Sequence, residues 1–248
     1  MERVGTHRLA VPSLAALLCS AAASGQNLIV NGGFESGNTG FISDYGYSAG
    51  GNCCEGQYTV RQTPSTFNGS FVNPPPVSPG SVQMMVVNGS LTPNLRVWSQ
   101  SVAVSPGHTY RLSFWGCTAV AGGPAILRLK VNGGQIGAPL TLPEQTRIWV
   151  PFETTWVADS DHATLVIDDL NTSRFPNDFY IDDISMTDEG APCPADFNQD
   201  GGIDGSDVEA FFFAWEGGDA LSDVNQDGGI DGADVEAFFA AWEAGGCG

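Results

Sequence analysis

A twelve-residue acidic segment occurs twice in the last quarter of the chain, and few folds accept it. Asp196-Phe-Asn198-Gln-Asp200-Gly201-Gly202-Ile203-Asp204-Gly-Ser-Asp207 returns 27 residues later as Asp223-Val-Asn225-Gln-Asp227-Gly228-Gly229-Ile230-Asp231-Gly-Ala-Asp234. Each copy has side-chain oxygens at positions 1, 3, 5, 9 and 12, a free carbonyl at position 7 and a glycine at position 6. That is the pattern a loop needs to wrap a hard cation taking six to eight oxygens. Between Asp196–Glu216 and Asp223–Glu243, 18 of 21 positions are identical, so the segment is a tandem repeat rather than a chance acidic run. The expected ion is Ca²⁺. Its ligands are Asp196, Asn198, Asp200, the Gly202 carbonyl, Asp204 and Asp207 in one copy, and Asp223, Asn225, Asp227, the Gly229 carbonyl, Asp231 and Asp234 in the other.

Each loop leads into a helix. Val208, Phe211, Phe212 and Trp215 stand at i, i+3, i+4 and i+7, and Val235, Phe238, Phe239 and Trp242 repeat the spacing. Each set draws one apolar stripe along an α-helix. Nothing helical precedes either loop: the prolines of Ala191-Pro-Cys-Pro-Ala195 prevent it, and Gly217-Gly218 end the first helix before Asp223. The unit is loop then helix, with Asp in place of Glu at position 12. In these features the segment from Cys193 to Cys247 resembles a type I dockerin, a two-repeat calcium module that docks secreted proteins onto cohesin domains. The resemblance implies a cohesin-like or cell-surface protein partner. Partner choice in that family rests largely on loop positions 10 and 11, which here are Gly205-Ser206 and Gly232-Ala233, and no Lys or Arg occurs after Arg174. Phe213 lies off the helix stripe and is Ala240 in the second copy, which leaves it either as an apolar contact for a partner or as packing against the neighbouring repeat.

The other end of the chain indicates the compartment. Arg3, His7 and Arg8 precede an apolar run from Leu9 to Ala23, and Ala23-Ser24-Gly25 offers small residues for cleavage, so residues 1–25 read as a secretory signal. No other stretch approaches the ~20 apolar residues that a membrane span needs. The formal charge is −19, and fifteen acidic and no basic residues fall between Asp188 and Gly248. Two Ca²⁺ would offset four of the eight loop charges. An acidity of this kind speaks for metal and against nucleic acid, which requires a basic face. In a secreted chain Cys193 and Cys247, which bracket the repeats, are expected to form a disulfide.

From 26 to 188 the pattern changes to short strands between turns. Leu95–Val104, Thr109–Trp115, Ile126–Val131, Ile148–Val157, Ala163–Asp168 and Phe179–Met186 are rich in Val, Ile, Thr and aromatics, and Pro-Gly, Gly-Gly and Asn-Gly separate them. The fold class expected is mainly β: a jelly-roll β-sandwich over 26–188, a linker at 189–195, and a small α dockerin-like calcium-binding loop–helix pair over 196–248. Asn27-Leu-Ile-Val-Asn-Gly-Gly-Phe-Glu35, Val104-Ser-Pro-Gly-His-Thr-Tyr-Arg-Leu-Ser-Phe-Trp115 and Phe179-Tyr-Ile-Asp-Asp-Ile-Ser185 resemble the carbohydrate-binding modules of families 4, 9 and 22. The resemblance implies a polysaccharide ligand. It also implies a third, structural Ca²⁺ held between Glu35 and Asp182, an alternative to leaving both on a solvated edge.

Alternation separates core from surface. Tyr110, Leu112 and Phe114 share one face of their strand and Arg111, Ser113 and Trp115 the other; Leu127, Leu129 and Val131 oppose Arg128 and Lys130; Leu95, Val97 and Ser99 oppose Arg96, Trp98 and Gln100. An exposed indole beside polar side chains suits a sugar, whose C–H face stacks on the ring while its hydroxyls are hydrogen-bonded. Trp115 and Trp98 are therefore the candidate platforms, with Arg111, Arg128 and Gln100 as polar partners, and core packing is the alternative for both indoles. His108 and His162 stand in no triad or metal motif, and no nucleophile elbow or phosphate loop is present, so no enzyme is expected. Three readings remain at this level: a secreted carbohydrate-binding protein with a docking module, a surface or matrix structural protein made of the same parts, and a hydrolase.

Overall fold

The computed structural model describes residues 25–51, 54–172, 176–191, 193–225 and 227–245. Residues 1–24 of the expected signal segment 1–25, Cys53 and Cys247 lie outside them. Among the described residues eleven strands precede two α-helices: β1 (Gly46–Tyr47), β2 (Gln57–Arg61), β3 (Met84–Asn88), β4 (Arg96–Ala103), β5 (Thr109–Thr118), β6 (Ile126–Val131), β7 (Gly134–Gln135), β8 (Leu140–Thr141), β9 (Trp149–Val157), β10 (His162–Asp169), β11 (Phe179–Gly190), α1 (Gly205–Gly217) and α2 (Gly232–Ala244). One sheet runs β1-β2-β3-β11-β5-β9; the other runs β4-β10-β6-β7, with β8 also on β6. Among the described residues the named strands pair antiparallel except β1 with β2.

The alternation read from the sequence places the main core between the two sheets. Tyr110, Leu112 and Phe114 of β5, Leu127, Leu129 and Val131 of β6, Leu165 and Ile167 of β10, and Phe179 and Ile181 of β11 are all buried in one cluster. A second cluster lies on the outer side of the six-stranded sheet. There Phe67 and Phe71, from the segment after β2, cover Met84, Val86, Cys117 and Tyr180, with Trp149 against them. Tyr180 Oη donates to the Val72 carbonyl (3.0 Å) and Trp149 Nε1 to the Pro75 carbonyl (2.8 Å), which fixes this segment over one end of the sheet.

The chain's opening segment lies along β11. Leu28 N donates to the Met186 carbonyl (2.8 Å), and Ile184 N donates to the Gly32 carbonyl (3.0 Å). A Cβ on Gly32 would stand 2.0 Å from the Ile184 carbonyl oxygen, so this approach requires glycine. β11 continues to Gly190, two residues past the expected end of the sandwich.

The repeats fold as loop–helix units related to each other by an internal pseudo-symmetry. Asp204 and Asp231 N-cap α1 and α2, each in a reciprocal capping box with Asp207 or Asp234, and Gly218 and Gly245 end the helices in the left-handed conformation. The stripes meet: Phe211 and Phe238 are fully buried and stack with ring centroids 4.3 Å apart and planes 2° from parallel. Each helix also reaches the other repeat's loop, because Trp215 Nε1 donates to the Asp231 carbonyl (3.1 Å) and Trp242 Nε1 to the Asp204 carbonyl (3.5 Å). The Pro106–His108 turn of the sandwich faces Cys193, Pro194 and Phe197 across a cleft of about 680 Å³.

Candidate functional site

The residues proposed for sugar contact do not form one site. Trp115 and Arg111 stand on β5, in the six-stranded sheet, whereas Trp98, Gln100 and Arg128 belong to the five-stranded sheet. The latter three have other employment.

Trp98 is corrected from surface to core: it is wholly buried in the main cluster with Val97. The cause is a register shift. Trp98 pairs with Ile167 of β10 while Arg96 pairs with Asp168, so Val97 is the extra residue of a β-bulge. A bulge turns two consecutive side chains toward one side, and strict alternation fails there. Gln100 is likewise corrected. It pairs with the core-facing Leu165, and its amide binds backbone, accepting from Val30 N (2.8 Å) and donating to the carbonyls of Val30 (3.0 Å) and Gly40 (2.5 Å). It lashes the opening segment to β4. Arg128 does face outward, where it bonds the buried Asp168.

Trp115 remains. Cross-strand partners share a face, and the register sets three rows across β9, β5 and β11: Thr155–Arg111–Thr187, Glu153–Ser113–Ser185 and Pro151–Trp115–Asp182. Trp115 is half-buried and belongs to neither apolar cluster. Arg111 is held between Glu153 (2.5 Å) and Glu189 (3.4 Å), its side chain half exposed. The result is a strip with one indole at one end and hydroxyl, carboxylate and guanidinium groups along the rest.

Glu35 and Asp182 approach the same short segment. Glu35 Oε1 accepts from Val82 N (2.6 Å) and Gln83 N (2.8 Å), and Asp182 Oδ2 accepts from Ser81 Oγ (2.7 Å). Asp182 is fully buried. Burial pushes its carboxyl up to about 7, with the Asp183 and Glu35 charges adding to the rise against the bonds from Ser81 and Asp183 N.

In the repeat loops the glycine at position 6 takes a positive φ in both copies, +87° at Gly201 and +88° at Gly228. Asp207 Oδ1 accepts from Asn198 N (3.1 Å) and its Oδ2 from Asp204 N (2.9 Å), with Asp234 making the equivalent bonds to Asn225 N (3.2 Å) and Asp231 N (2.8 Å). Asp196 Oδ2 and Asp223 Oδ2 accept from the position-6 amides. Their second oxygens, Asp196 Oδ1 and Asp223 Oδ1, are buried without a hydrogen-bond partner among the described residues. A buried carboxylate oxygen is costly unless something positive meets it, and the same atom is orphaned at position 1 of both loops. The donor set fits Ca²⁺, being oxygen throughout. Among the described residues no three His, Cys, Asp or Glu side chains already converge as a metal cluster. Cys193 is disulfide-bonded.

Sequence reasoning missed one constellation. Asp168 is fully buried beneath two cations, 2.6 Å from Arg128 Nη2 and 2.8 Å from Lys130 Nζ. Nothing but the i, i+2 spacing of Arg128 and Lys130 hinted at it.

The sequence matches no family model and no curated protein. Solved structures resemble it weakly. The CBM22-1-CBM22-2 tandem domain of Paenibacillus barcinonensis Xyn10C is 18% identical with a TM-score of 0.47 over 70% of this chain and 48% of that one. A family 16 carbohydrate-binding module is 23% identical, TM-score 0.37, over 65% and 99%. TmCBM61, solved with β-1,4-galactotriose, is 18% identical, TM-score 0.41, over 66% and 99%. The chain spans 66% of the sugar-binding C-terminal domain of EclA, which it matches with 20% identity and a TM-score of 0.35. The sandwich assignment stands on the observed strand order and register.

Proposed function

We propose that the chain is a secreted, non-catalytic polysaccharide-binding protein, stabilised by calcium and attached to a partner protein through its repeat module. The observation that carries the reading is Trp115: a partly exposed indole outside both apolar clusters, at the end of a polar strip on the outer face of the six-stranded sheet. An indole in that position presents a stacking surface, and Ser113, Ser185, Thr187 and Arg111 offer hydrogen bonds at the spacing of neighbouring strands.

The orphaned Asp196 Oδ1 and Asp223 Oδ1 support Ca²⁺ in both loops. The ion would be held by Asp196, Asn198, Asp200, the Gly202 carbonyl, Asp204 and Asp207, and by their counterparts in the second repeat. Bound there, it supplies the positive charge that the clustered carboxylates need in order to stay close. The approach of Glu35 and Asp182 to one segment supports a third ion in the sandwich. Phe213, 83% exposed on α1, supports protein docking by the module. A Cys193–Cys247 disulfide would close the module's ends.

The test is binding of the full chain, in millimolar calcium, to a panel of neutral β-linked glycans. Trp115→Ala is expected to weaken the best ligand by about 1 kcal/mol or more with the melting temperature held. Absence of binding to every glycan, or an unaltered affinity in the variant, would replace this reading by the structural-protein one.

A further inference from the structure

We propose that the outer face of the five-stranded sheet is a second glycan site, one that takes a carboxylated sugar, a uronic acid carried on an extended polysaccharide. It rests on the polysaccharide reading only for the kind of polymer; the charge that selects the ligand is a separate observation.

The β4 bulge that buries Trp98 also turns Arg96 outward, opposite Asp168, and Asp168 in turn pairs with Arg128. The next row is Ser99–Val166–Lys130, and beyond it Ser101 and Thr164 share a hydroxyl–hydroxyl bond of 2.8 Å. Three of the nine Lys and Arg in the chain therefore stand together on one sheet face. Among the described residues the carboxylates bound to them are two, Asp44 on Arg96 (2.6 Å) and Asp168 on both Arg128 and Lys130. One positive charge is left over.

That charge is poorly hydrated. The Arg128 and Lys130 side chains are 21% and 19% exposed, while the carboxylate they share is fully buried and already satisfied by three contacts at 3.0, 2.6 and 2.8 Å. A cation that has lost most of its water and has only half a counter-ion gains from an added anion more than a fully solvated one does. Burial raises the Asp168 carboxyl, yet the bonds from Arg128 and Lys130 overcome it and hold the group below its usual range. Asp168 is thus a carboxylate, and the surplus is real charge rather than a neutral pair. The molecule as a whole carries −19, but salt screens charge beyond about 8 Å at physiological ionic strength, so a ligand lying on this face meets the local row first. A carboxylate set on a chain of hydroxyls matches a row of cations continued by Ser101 and Thr164. An open sheet face also admits an extended chain where a closed pocket would not.

The experiment uses the full chain with a glucuronic-acid-branched xylo-oligosaccharide and with the same oligosaccharide after carboxyl reduction, measured by calorimetry at low and at physiological salt. The acidic ligand is expected to bind at least about tenfold more tightly than its reduced form, with affinity falling as salt rises. Lys130→Gln, which leaves Asp168 its Arg128 partner, is expected to remove most of that preference, and Arg96→Gln to reduce it. Trp115→Ala should leave it intact, because Trp115 stands on the other sheet; loss of neutral-glycan binding in that variant therefore tests the first site alone. Equal binding of acidic and reduced ligands by the wild-type chain overturns the proposal, and that comparison needs no variant to fold. A preference that persists in both cation variants overturns it too.

Discussion

Trp98 and Trp115 are the same residue type on neighbouring strands in sequence, and only one of them meets solvent. Trp98 is fully buried, and its indole Nε1 has no hydrogen-bond partner among the described residues. Trp98→Ala should cost the sandwich about 3–5 kcal/mol, as large aromatic truncations in cores do. Trp98→Phe should cost far less, because it removes the unsatisfied N–H, itself a penalty of about 1–3 kcal/mol, along with part of the ring. Thermal melting of both variants checks this, and a Phe variant as unstable as the Ala one would show that the N–H does have a partner. A second residue-scale expectation concerns acid. Burial pushes Asp169 up to about 7 and Asp178 to about 6, from 3.8. Between roughly pH 4 and pH 7 the unfolded chain has released these protons while the folded chain keeps them, so stability is highest below the unfolded value and is lost as pH rises through the folded one. The sandwich should melt several degrees higher at pH 5 than at pH 8. Asp169→Asn, which keeps the oxygen accepting from Ile126 N and Asn171 N, should flatten that profile.

At the scale of elements, the sequence was readable where side chains alternate and opaque where they do not. β5 and β6 present every second residue to the core, and both were legible to within a few residues at their ends. β3 was not, since Met84–Asn88 is buried on both faces, between the main core and the outer cluster, and so shows no period of two. β7 and β8 are two residues each, too short for a pattern. The bulge in β4 explains why two of the five expected sugar-contact residues point elsewhere: one inserted residue reverses the faces on one side of it. The helices were legible because their stripes of Val, Phe and Trp have a period that one element alone satisfies. What the stripes did not reveal is reciprocity. Trp215 belongs to the first repeat yet bonds the position-9 carbonyl of the second, and Trp242 does the reverse. Trp215→Phe should therefore weaken calcium binding at the Asp223–Asp234 loop by up to about 1 kcal/mol, the net worth of one such bond, and spare its own loop. Calcium calorimetry on Trp215→Phe with Asp200→Ala, which leaves only the second loop, measures it; an affinity equal to that of Asp200→Ala alone would count against the crossed arrangement.

At the scale of the whole molecule, the sandwich and the two helices are packed in different ways. The sandwich rests on an apolar core between two sheets plus a second cluster outside one of them. The module has two helices of 13 residues, each too short to persist alone in water, and two fully buried phenylalanines between them. Its loops crowd four aspartates apiece, and no Lys or Arg occurs after Arg174 to neutralise them. Repulsion among those carboxylates opposes the turn that Gly201 and Gly228 permit, so on the calcium reading proposed above a bound cation would decide whether the helices meet. At free calcium about 100 times the dissociation constant each proposed site would add roughly 2.7 kcal/mol, a large share of the stability of so small a unit. Chelation of the full chain should abolish the helical signal and expose Trp215 and Trp242, while the sandwich still melts as one cooperative unit. Any fall in the sandwich's own melting temperature on chelation would belong to the ion proposed between Glu35 and Asp182. Asp182→Asn should remove that fall and leave the module's calcium dependence untouched. If chelated protein keeps its helices and its two module tryptophans stay shielded from a fluorescence quencher, the Phe211–Phe238 stack holds the module by itself, and calcium is a passenger.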